Sequence, residues 1–286
     1  MKTIPCSLKK VIFAFGILVI GVSPLKAQHM IVGSYNLRYA NSNDIGNLWQ
    51  DRAPVIASLI SFHGFDIIGT QEGLRHQLDD LSNMLPEFDR YGIGRDDGII
   101  GGEHSAIFFN KDKFGLVEKG DFWLSETPEK PSKGWDAAIN RICTWVKLVE
   151  KSSGKIFFVF NAHYDHKGVL AREESSKLVL KKIQGIAGNI PVMFMGDLNG
   201  DHTTNWYQLI ARSGHLRDAY DSASIRYANN GSFNGFGNSI EQRNIIDHVF
   251  LSSSFNVIRH GILTDTYMGK YPSDHFPVLV EVDFKW

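Results

Sequence analysis

The sequence predicts an α/β fold in which mixed β-sheets are covered by helices. Apolar, strand-like runs recur along the chain, but helix-like stretches separate only some of them. The polar segment Lys151–Lys155 lies between two such runs and is typical of a hairpin turn, which places antiparallel strands beside βαβ-like units. This combination disfavours a doubly wound parallel sheet. No repeat, low-complexity segment or long linker interrupts the chain, so we expect a single domain over residues 28–286.

The individual elements follow from the spacing of apolar residues. A short apolar run between turn residues is typical of a buried strand, whereas apolar residues three or four positions apart are typical of an amphipathic helix. On these criteria the expected strands are Met30–Leu37, Phe65–Gly69, Ser105–Phe109, Thr144–Val149, Lys155–Asn161, Ile190–Met195, Ile246–Leu251 and Val278–Phe284. The expected helices are Asp51–Phe62, Arg75–Met84, Val169–Ala187 and Thr203–Ser213.

The first 27 residues have the pattern of a cleaved signal peptide. Lys2, Lys9 and Lys10 precede the apolar run Val11–Val22, and a plausible cleavage site follows Ala27. The run is too short to span a bilayer, which needs about 20 apolar residues. We therefore expect an exported protein, periplasmic or secreted, without a stable membrane anchor, although a retained N-terminal anchor is an alternative interpretation.

Charge and cysteine content narrow the function classes only slightly. The net charge of −1 produces no overall field that would favour long nucleic acids or anionic membranes, but it does not exclude a nucleic-acid substrate. After cleavage Cys143 would be the only cysteine, so no internal disulfide is expected even in an oxidising compartment. Cys143 lies in a strand-like segment, where we expect a buried, unreactive thiol.

The segment Gly196–Gly200 carries the strongest local indication of a functional site. It follows an apolar run and contains Asp197 and Asn199, two positions apart. In extended backbone such residues face the same side, so both side chains can converge on one point. Oxygen-bearing side chains at a strand end suit a hard cation and a polarised water molecule.

Similar polar residues occur at the ends of several other predicted strands. Each has an ordinary structural interpretation as a turn residue, a helix cap or a half-buried histidine. Their repeated occurrence at strand ends favours a common site, because binding and catalytic residues collect in loops at one rim of a rigid scaffold. These residues are Asn36, Glu72, His163, Asp247, Asp274 and His275.

Residue identity excludes one other metal site and disfavours a second. A helix–loop–helix calcium site beginning at Asp197 would require glycine at its sixth position and glutamate at its twelfth, where the chain has His202 and Gln208. The segment His163–His166 matches the second half of the zinc motif of metallo-β-lactamase-type hydrolases, but Asn161 occupies the position of the first histidine.

Taken in order, these residues resemble the pattern of the endonuclease/exonuclease/phosphatase superfamily, over nearly the whole of residues 29–286. The residue sequences of segments 141–146 and 271–277 most resemble those of the nocturnin-like and secreted bacterial branch. The resemblance implies a four-layer α/β sandwich, in which two mixed β-sheets lie face to face between helices. It also implies an enzyme that hydrolyses a phosphoester with the help of Mg²⁺ or Mn²⁺.

The same resemblance implies a role for each residue. Glu72 would be the main metal ligand, helped by Asn36 and Asp274. Asp197 would orient or deprotonate the attacking water beside Asn199, and Asp247 would fix the tautomer of His275, which contacts the scissile phosphate. His163 would donate to a phosphate oxygen. Arg141 is a further candidate phosphate contact, although a surface salt bridge is an equal alternative for it. Glu103 stands at the position of a glutamate that pairs with this histidine in deoxyribonuclease relatives, and it is assigned to the same phosphate-binding group.

The substrate is less well determined by the sequence than the reaction. We expect a nucleotide, short oligonucleotide, sugar phosphate or lipid head group, with a nuclease acting on DNA or RNA as the alternative within the class. A non-catalytic, exported binding protein on the same scaffold is the alternative of another class. We expect the protein to be a monomer.

Overall fold

The protein is described by a computed structural model that covers residues 1–4 and 29–285. Most of the predicted signal peptide, residues 5–27, therefore lies outside the described residues. Within the described ranges, no helix combines the length and the apolar character needed to cross a membrane.

Strands predominate over helices along the described chain. The strands are β1 (Met30–Asn36), β2 (Ile67–Gln71), β3 (Phe88–Tyr91), β4 (Ile107–Asn110), β5 (Phe114–Trp123), β6 (Ile142–Glu150), β7 (Ile156–His163), β8 (Val192–Asp197), β9 (Arg217–Asp218), β10 (Ile225–Tyr227), β11 (Asp247–Leu251), β12 (Phe255–Ile262) and β13 (Val278–Phe284). The helices are α1 (Trp49–Phe62), α2 (Arg75–Met84), α3 (Val169–Ala187), α4 (Asn205–Ala211) and α5 (Ala219–Ser222), with a 3-10 turn at Gly235–Gly237.

These strands form two mixed sheets. The first sheet has seven strands in the order β10-β12-β13-β1-β2-β4-β3, and the second has six in the order β5-β6-β7-β8-β11-β9. In each sheet one parallel pair, β1 with β2 and β7 with β8, is connected through a helix, as the βαβ pattern requires. Most other pairs are antiparallel, including the predicted hairpin of β6 and β7. The predicted mixed sheets are confirmed.

The two sheets pack face to face and each is covered by helices on its outer side. Residues of both sheets, such as Val32 and Phe157, form one buried apolar cluster between them. A second cluster joins the outer face of the second sheet to α3 and α4, and a third joins the first sheet to α1 and α2. Because successive strand residues face opposite sides, Val249 of β11 lies in the inner cluster and Phe250 in an outer one. The four-layer sandwich is therefore confirmed.

The predicted bounds agree best with the structure where the apolar pattern is strong. The bounds of α2 and α3 are those predicted, and α1 begins two residues earlier than Asp51. β8 begins at Val192 and extends through Gly196 to Asp197, so the motif starts inside the strand rather than after it. Several strands were not predicted, among them β3, β5 and β12. The middle of β5 is exposed and mixes the apolar Leu116 and Val117 with the charged Glu118 and Lys119, so this strand at a sheet edge carries no long apolar run.

Candidate active site

The topology of the two sheets brings the predicted site residues to one edge. β1 and β2 are parallel, as are β7 and β8, so each pair ends on the same side of its sheet. β13 is antiparallel to β1, and β11 is antiparallel to β8, so both begin on that side. These strand ends and the adjoining loops line a cleft of about 580 Å³. The cleft contains Glu72, Glu103, Arg141, His163, Asp197, Asn199, Asp274 and His275.

Asp197 lies at the centre of the contacts that join these residues. One carboxylate oxygen, Oδ2, accepts a hydrogen bond from Asn36 Nδ2 at 3.1 Å. The same oxygen lies 3.4 Å from His163 Nε2 and 3.8 Å from His275 Nε2. Asp197 therefore connects the end of the first sheet to two histidines that come from different sheets.

Asn199 reaches the site by a turn and not by strand alternation as predicted. Its φ of +48° is left-handed, so residues 197–199 are not extended. The turn is closed by the backbone N–H of Asn199, which donates to Asp197 Oδ1 at 2.9 Å. Asn199 Nδ2 then donates to the carbonyl of Tyr164 and lies 3.2 Å from His163 Nε2. Asparagine tolerates left-handed backbone and forms such turns readily, which explains the residue type here.

The two histidines are held in opposite protonation states. Burial disfavours the charged form of His275, but Asp247, whose Oδ2 lies 2.8 Å from His275 Nδ1, outweighs it and holds the pKa of His275 well above its usual value. Burial, assisted by the positive charge of Arg141, holds the pKa of His163 well below its usual value. An imidazolium and a neutral imidazole therefore flank one carboxylate, an arrangement that separates acid from base roles.

Asp197 itself has a pKa suited to proton transfer. Burial and the nearby carboxylate of Asp247 raise the pKa of Asp197 to about 7, although His275 and Asn36 oppose the shift. A group with a pKa near the working pH is an efficient general base. A cation bound beside Asp197 would stabilise its ionised form and lower this pKa.

The acidic residues of the cleft fit a divalent cation. Asp247 Oδ1 is buried without a hydrogen-bond partner, and no described hydrogen-bond donor lies closer than 3.4 Å to the carboxylate of Asp274. Burial, with a contribution from Glu72, raises the pKa of Asp274. Buried carboxylate oxygens without donors are the ligands that Mg²⁺ and related hard cations prefer.

The amide of Asn36, one of the predicted metal ligands, is hydrogen-bonded to protein groups at both of its ends. Asn36 Nδ2 donates to Glu72 Oε1 and to Asp197, while its Oδ1 accepts from the backbone N–H of Arg38. In this orientation Asn36 holds two carboxylates together, and it would have to rotate its amide to coordinate a cation. The tightest cluster of potential ligand atoms in the described residues is instead Asp197, Asp247 and His275, within 4.8 Å of one another.

Arg141 and Glu103 both line the cleft, and each is held by a charged neighbour. Arg141 is buried; its Nη2 lies 3.0 Å from His166 Nδ1, and within the described residues its Nη1 has no hydrogen-bond partner. Its Nε lies 3.5 Å from Asp165 Oδ2, so Arg141 does form a salt bridge, but in the interior and not at the surface. Glu103 accepts two hydrogen bonds of 2.6 and 2.9 Å from Arg95, and it does not pair with His163, whose Nδ1 has no hydrogen-bond partner in the described part of the chain. The Glu103 carboxylate therefore holds Arg95 in place. Because an ionised carboxylate has no N–H or O–H group, it cannot donate a hydrogen bond to a phosphate.

Two supporting residues were missed in the sequence. Arg52 of α1 is fully buried and donates to the carbonyl groups of Asn47, Leu37, Arg38 and Pro272 at 2.7–3.0 Å. It thereby ties the segment after Asn36 to the segment before Asp274. Its position in a helical pattern resembles that of any surface arginine, so no sequence signal marked it.

Asn161 of β7 forms a polar bridge between the two sheets beneath the cleft. Its Nδ2 donates to the carbonyl groups of Thr70 and Ala106, and its Oδ1 accepts from Gln71 Nε2 at 2.7 Å. Asn161, which stands where the zinc motif requires a histidine, therefore has a structural role of its own.

Comparison with known proteins identifies the family. A model of the Endonuclease/Exonuclease/phosphatase family matches residues 33–275. A solved endonuclease/exonuclease/phosphatase family protein from Bacteroides thetaiotaomicron is 48% identical, with 91% of this chain and 99% of that chain covered and a TM-score of 0.88. A mannosyl-6-phosphatase from the same organism is 50% identical, with 89% and 100% covered and a TM-score of 0.87. The human Nocturnin catalytic domain shares the fold at 20% identity, with 90% and 94% covered and a TM-score of 0.71. The chain therefore belongs to the endonuclease/exonuclease/phosphatase family of divalent-metal-dependent hydrolases that act on phosphoester bonds.

Proposed function

We propose that this protein is a phosphomonoesterase that removes the terminal phosphate of a sugar phosphate, with Mg²⁺ or Mn²⁺ as its cofactor. The observation that carries the proposal is the buried Arg141, whose Nη1 has no hydrogen-bond partner within the described residues. A terminal phosphate carries more negative charge than a diester, so its binding requires fixed donors in addition to a cation. Arg141 and His163 line the same cleft and supply two of them.

The size and charge of the cleft support a small substrate. A volume of about 580 Å³ is in the range of small-molecule sites. A polynucleotide would require a long positively charged surface, and the net charge of −1 offers no general attraction. The similarity to a mannosyl-6-phosphatase, at 50% identity over the whole of that chain, supports a sugar phosphate within the wider set of phosphoesters.

The residues of the cleft have separable roles in this reaction. Glu72 and Asp274 would hold the cation, with Asn36 fixing the Glu72 carboxylate. When bound, the cation supplies positive charge that offsets the charge developing on the phosphate in the transition state. Arg141 would bind one phosphate oxygen, and Asp197 would accept the proton of the attacking water.

The two histidines would complete the charge stabilisation. His275, protonated because of Asp247, would donate from Nε2 to a phosphate oxygen. The Nε2 atom of His163 lies beside Asp197 and Asn199, whereas its Nδ1 is buried, so His163 would contact a second phosphate oxygen from its Nε2 side. Asp197 lies within 4 Å of both imidazole rings. The water molecule that Asp197 activates would therefore be held next to the phosphate that the two rings contact.

A substrate panel tests this proposal. With Mg²⁺ we expect hydrolysis of mannose 6-phosphate and of 4-nitrophenyl phosphate, and at least about tenfold lower kcat/KM for bis-(4-nitrophenyl) phosphate and single-stranded DNA. Asp197→Ala and His275→Ala should each lower kcat by at least about 100-fold, whereas His215→Ala, at an exposed position on the loop after α4, should not. Preferential cleavage of the diester or of DNA would contradict the proposal and favour a nuclease. Equal rates in the wild type and both site variants would contradict the assigned residues.

We also propose that the protein is exported after cleavage near Ala27 and acts as a monomer. The charged and apolar pattern of residues 1–27 supports export. N-terminal sequencing of the protein from a periplasmic or culture fraction should begin near Gln28, and light scattering should give the mass of one chain. An intact N-terminus in the cytoplasmic fraction would contradict export, and a dimer mass would contradict the monomer.

A further inference from the structure

A second cavity, of about 670 Å³, lies on the outer side of the second sheet, close to the catalytic cleft. Its walls come from α4, from Asp218 and α5, and from the loop of residues 228–245. None of the residues assigned above to catalysis or metal binding lines it. Its volume is in the range of pockets that hold small ligands.

We propose that this cavity binds a neutral carbohydrate of one or two rings, and that it holds the glycan part of a phosphorylated sugar substrate. The second half of the proposal rests on the proposed phosphatase function. The first half depends only on the cavity and its lining.

The lining has the chemistry of a sugar site. Gln208, Asn229 and Asn230 are exposed or half-buried amides, and each amide offers both donors and an acceptor to hydroxyl groups. Tyr220 contributes a half-buried aromatic ring, which Arg226 and His260 contact at 5.2 and 5.4 Å, and the part of the ring that remains accessible can pack against the C–H groups of a sugar. Such a mixture of amides and an aromatic ring suits a polyhydroxylated ligand better than a purely apolar one.

The charges of the lining disfavour an anionic ligand. Arg243 is balanced by Asp221, and both are exposed. Asp218 is buried and already accepts hydrogen bonds from Tyr207 and from the backbone of Tyr220. The cavity therefore presents no concentration of free positive charge of the kind that phosphate requires.

The floor of the cavity is rigid and connects to the catalytic cleft. His248 Nδ1 lies 3.2 Å from Asp218 Oδ2, and its Nε2 lies 2.9 Å from the carbonyl oxygen of Gly200. His248 follows Asp247 in β11 and faces the opposite side of the sheet, while Gly200 follows Asn199. Ile245 lines the second cavity and the next residue, Ile246, lines the catalytic cleft, so the two cavities adjoin and one ligand can extend from one to the other.

Binding and turnover of a neutral and a phosphorylated disaccharide test the proposal. The probes are α-linked mannobiose, measured by calorimetry with the full chain, and mannobiose 6-phosphate, compared with 4-nitrophenyl phosphate as substrate. Asn229→Ala and Tyr220→Ala should each weaken mannobiose binding about tenfold, the loss expected for one good polar or stacking contact. In both variants kcat/KM for mannobiose 6-phosphate should also fall about tenfold, while kcat/KM for 4-nitrophenyl phosphate should stay unchanged. The ratio of the two values should therefore fall about tenfold. Tyr227→Ala, an exposed tyrosine on β10 outside the cavity, is the matched control and should change neither.

The outcomes separate this inference from the proposed function. Loss of mannobiose binding in the variants without turnover of any sugar phosphate would support the cavity and contradict the phosphatase. Turnover of the phosphorylated disaccharide with an unchanged ratio in Asn229→Ala and Tyr220→Ala would support the phosphatase and overturn the cavity. The absence of measurable mannobiose binding to the wild type at millimolar concentration would also overturn it. The exposed Asn229 provides a variant that folds even where Tyr220→Ala does not.

Discussion

The contact between Asp247 and His275 sets the protonation state of His275, so removing it should change the pH dependence of the activity. Both side chains are buried, and Asp247 Oδ2 lies 2.8 Å from His275 Nδ1. Asp247→Asn keeps the shape of the side chain and an oxygen that can accept from Nδ1, but it removes the negative charge. The variant therefore tests whether the charge of Asp247, and not only its position, sets the protonation state of His275.

The expected shift follows from the strength of this contact. A hydrogen bond between charged groups contributes about 1.5–3 kcal/mol and a neutral one about 0.5–1.5 kcal/mol, so the change costs about 1–1.5 kcal/mol. This corresponds to a fall of about one unit in the pKa of His275. Because that pKa is raised in the folded protein, the protonated form and the stability it contributes are present at low pH and lost as the pH rises through the folded pKa. In Asp247→Asn this loss should occur at a lower pH.

The variant should also affect Asp197. The charge of Asp247 helps to raise the pKa of Asp197 to about 7, so its removal should lower that pKa. Both limbs of the profile of kcat/KM against pH should therefore move to lower pH, the alkaline limb by about one unit.

The assay is hydrolysis of 4-nitrophenyl phosphate from pH 5 to pH 10 at saturating Mg²⁺. Asp265→Asn is the matched control, because Asp265 Oδ1 lies 3.1 Å from His63 Nε2 and neither residue lines the cleft. The control should not move either limb. An unchanged alkaline limb in Asp247→Asn would refute the assignment of the raised pKa to this contact.

Four further substitutions test the scaffold. Arg52→Met leaves two buried and two partly buried carbonyl groups without their donor and should lower the free energy of unfolding by at least about 3 kcal/mol in urea denaturation; a loss below about 1 kcal/mol would contradict the role of Arg52 in joining these segments. Gly196→Ala would place Cβ 2.0 Å from the carbonyl oxygen of Ala162 and force β7 and β8 apart, so kcat should fall at least about tenfold. Gly185 of α3 has open space around it, so Gly185→Ala should raise the free energy of unfolding by about 0.5–1 kcal/mol and leave kcat unchanged. An equal fall in kcat in both glycine variants would contradict this interpretation. Cys143→Ala should retain activity, and the wild type should resist alkylation at this thiol, because Cys143 is fully buried and burial raises its pKa; inactivation of the wild type by an alkylating reagent at Cys143 would contradict this prediction.

The sequence predicted the layout of the site because short polar segments follow strong apolar runs. Strand ends such as Asn36, His163 and Asp197 are visible as the point where such a run stops, and the sheet topology then brings them to one edge. Edge strands such as β5 lack this signal, because one face is solvated and few apolar residues are needed.

Contacts between side chains were less predictable than positions. Residue spacing does not encode the distances across the sheets on which such contacts depend. Examples are the left-handed turn at Asn199, the orientation of the Asn36 amide and the pairing of Glu103 with Arg95. Arg52 shows the same limit, since its carbonyl partners lie up to 220 positions away along the chain.

Metal dependence measured together with a change at Glu72 tests the central claim most directly. Activity towards 4-nitrophenyl phosphate should disappear after EDTA treatment and return with Mg²⁺ or Mn²⁺. Glu72→Gln should lower kcat/KM at least about 100-fold and raise the concentration of Mg²⁺ needed for half-maximal activity, because the amide loses the charge that holds the cation. Full activity of the metal-free protein, or a Glu72→Gln variant with the metal requirement of the wild type, would contradict the account.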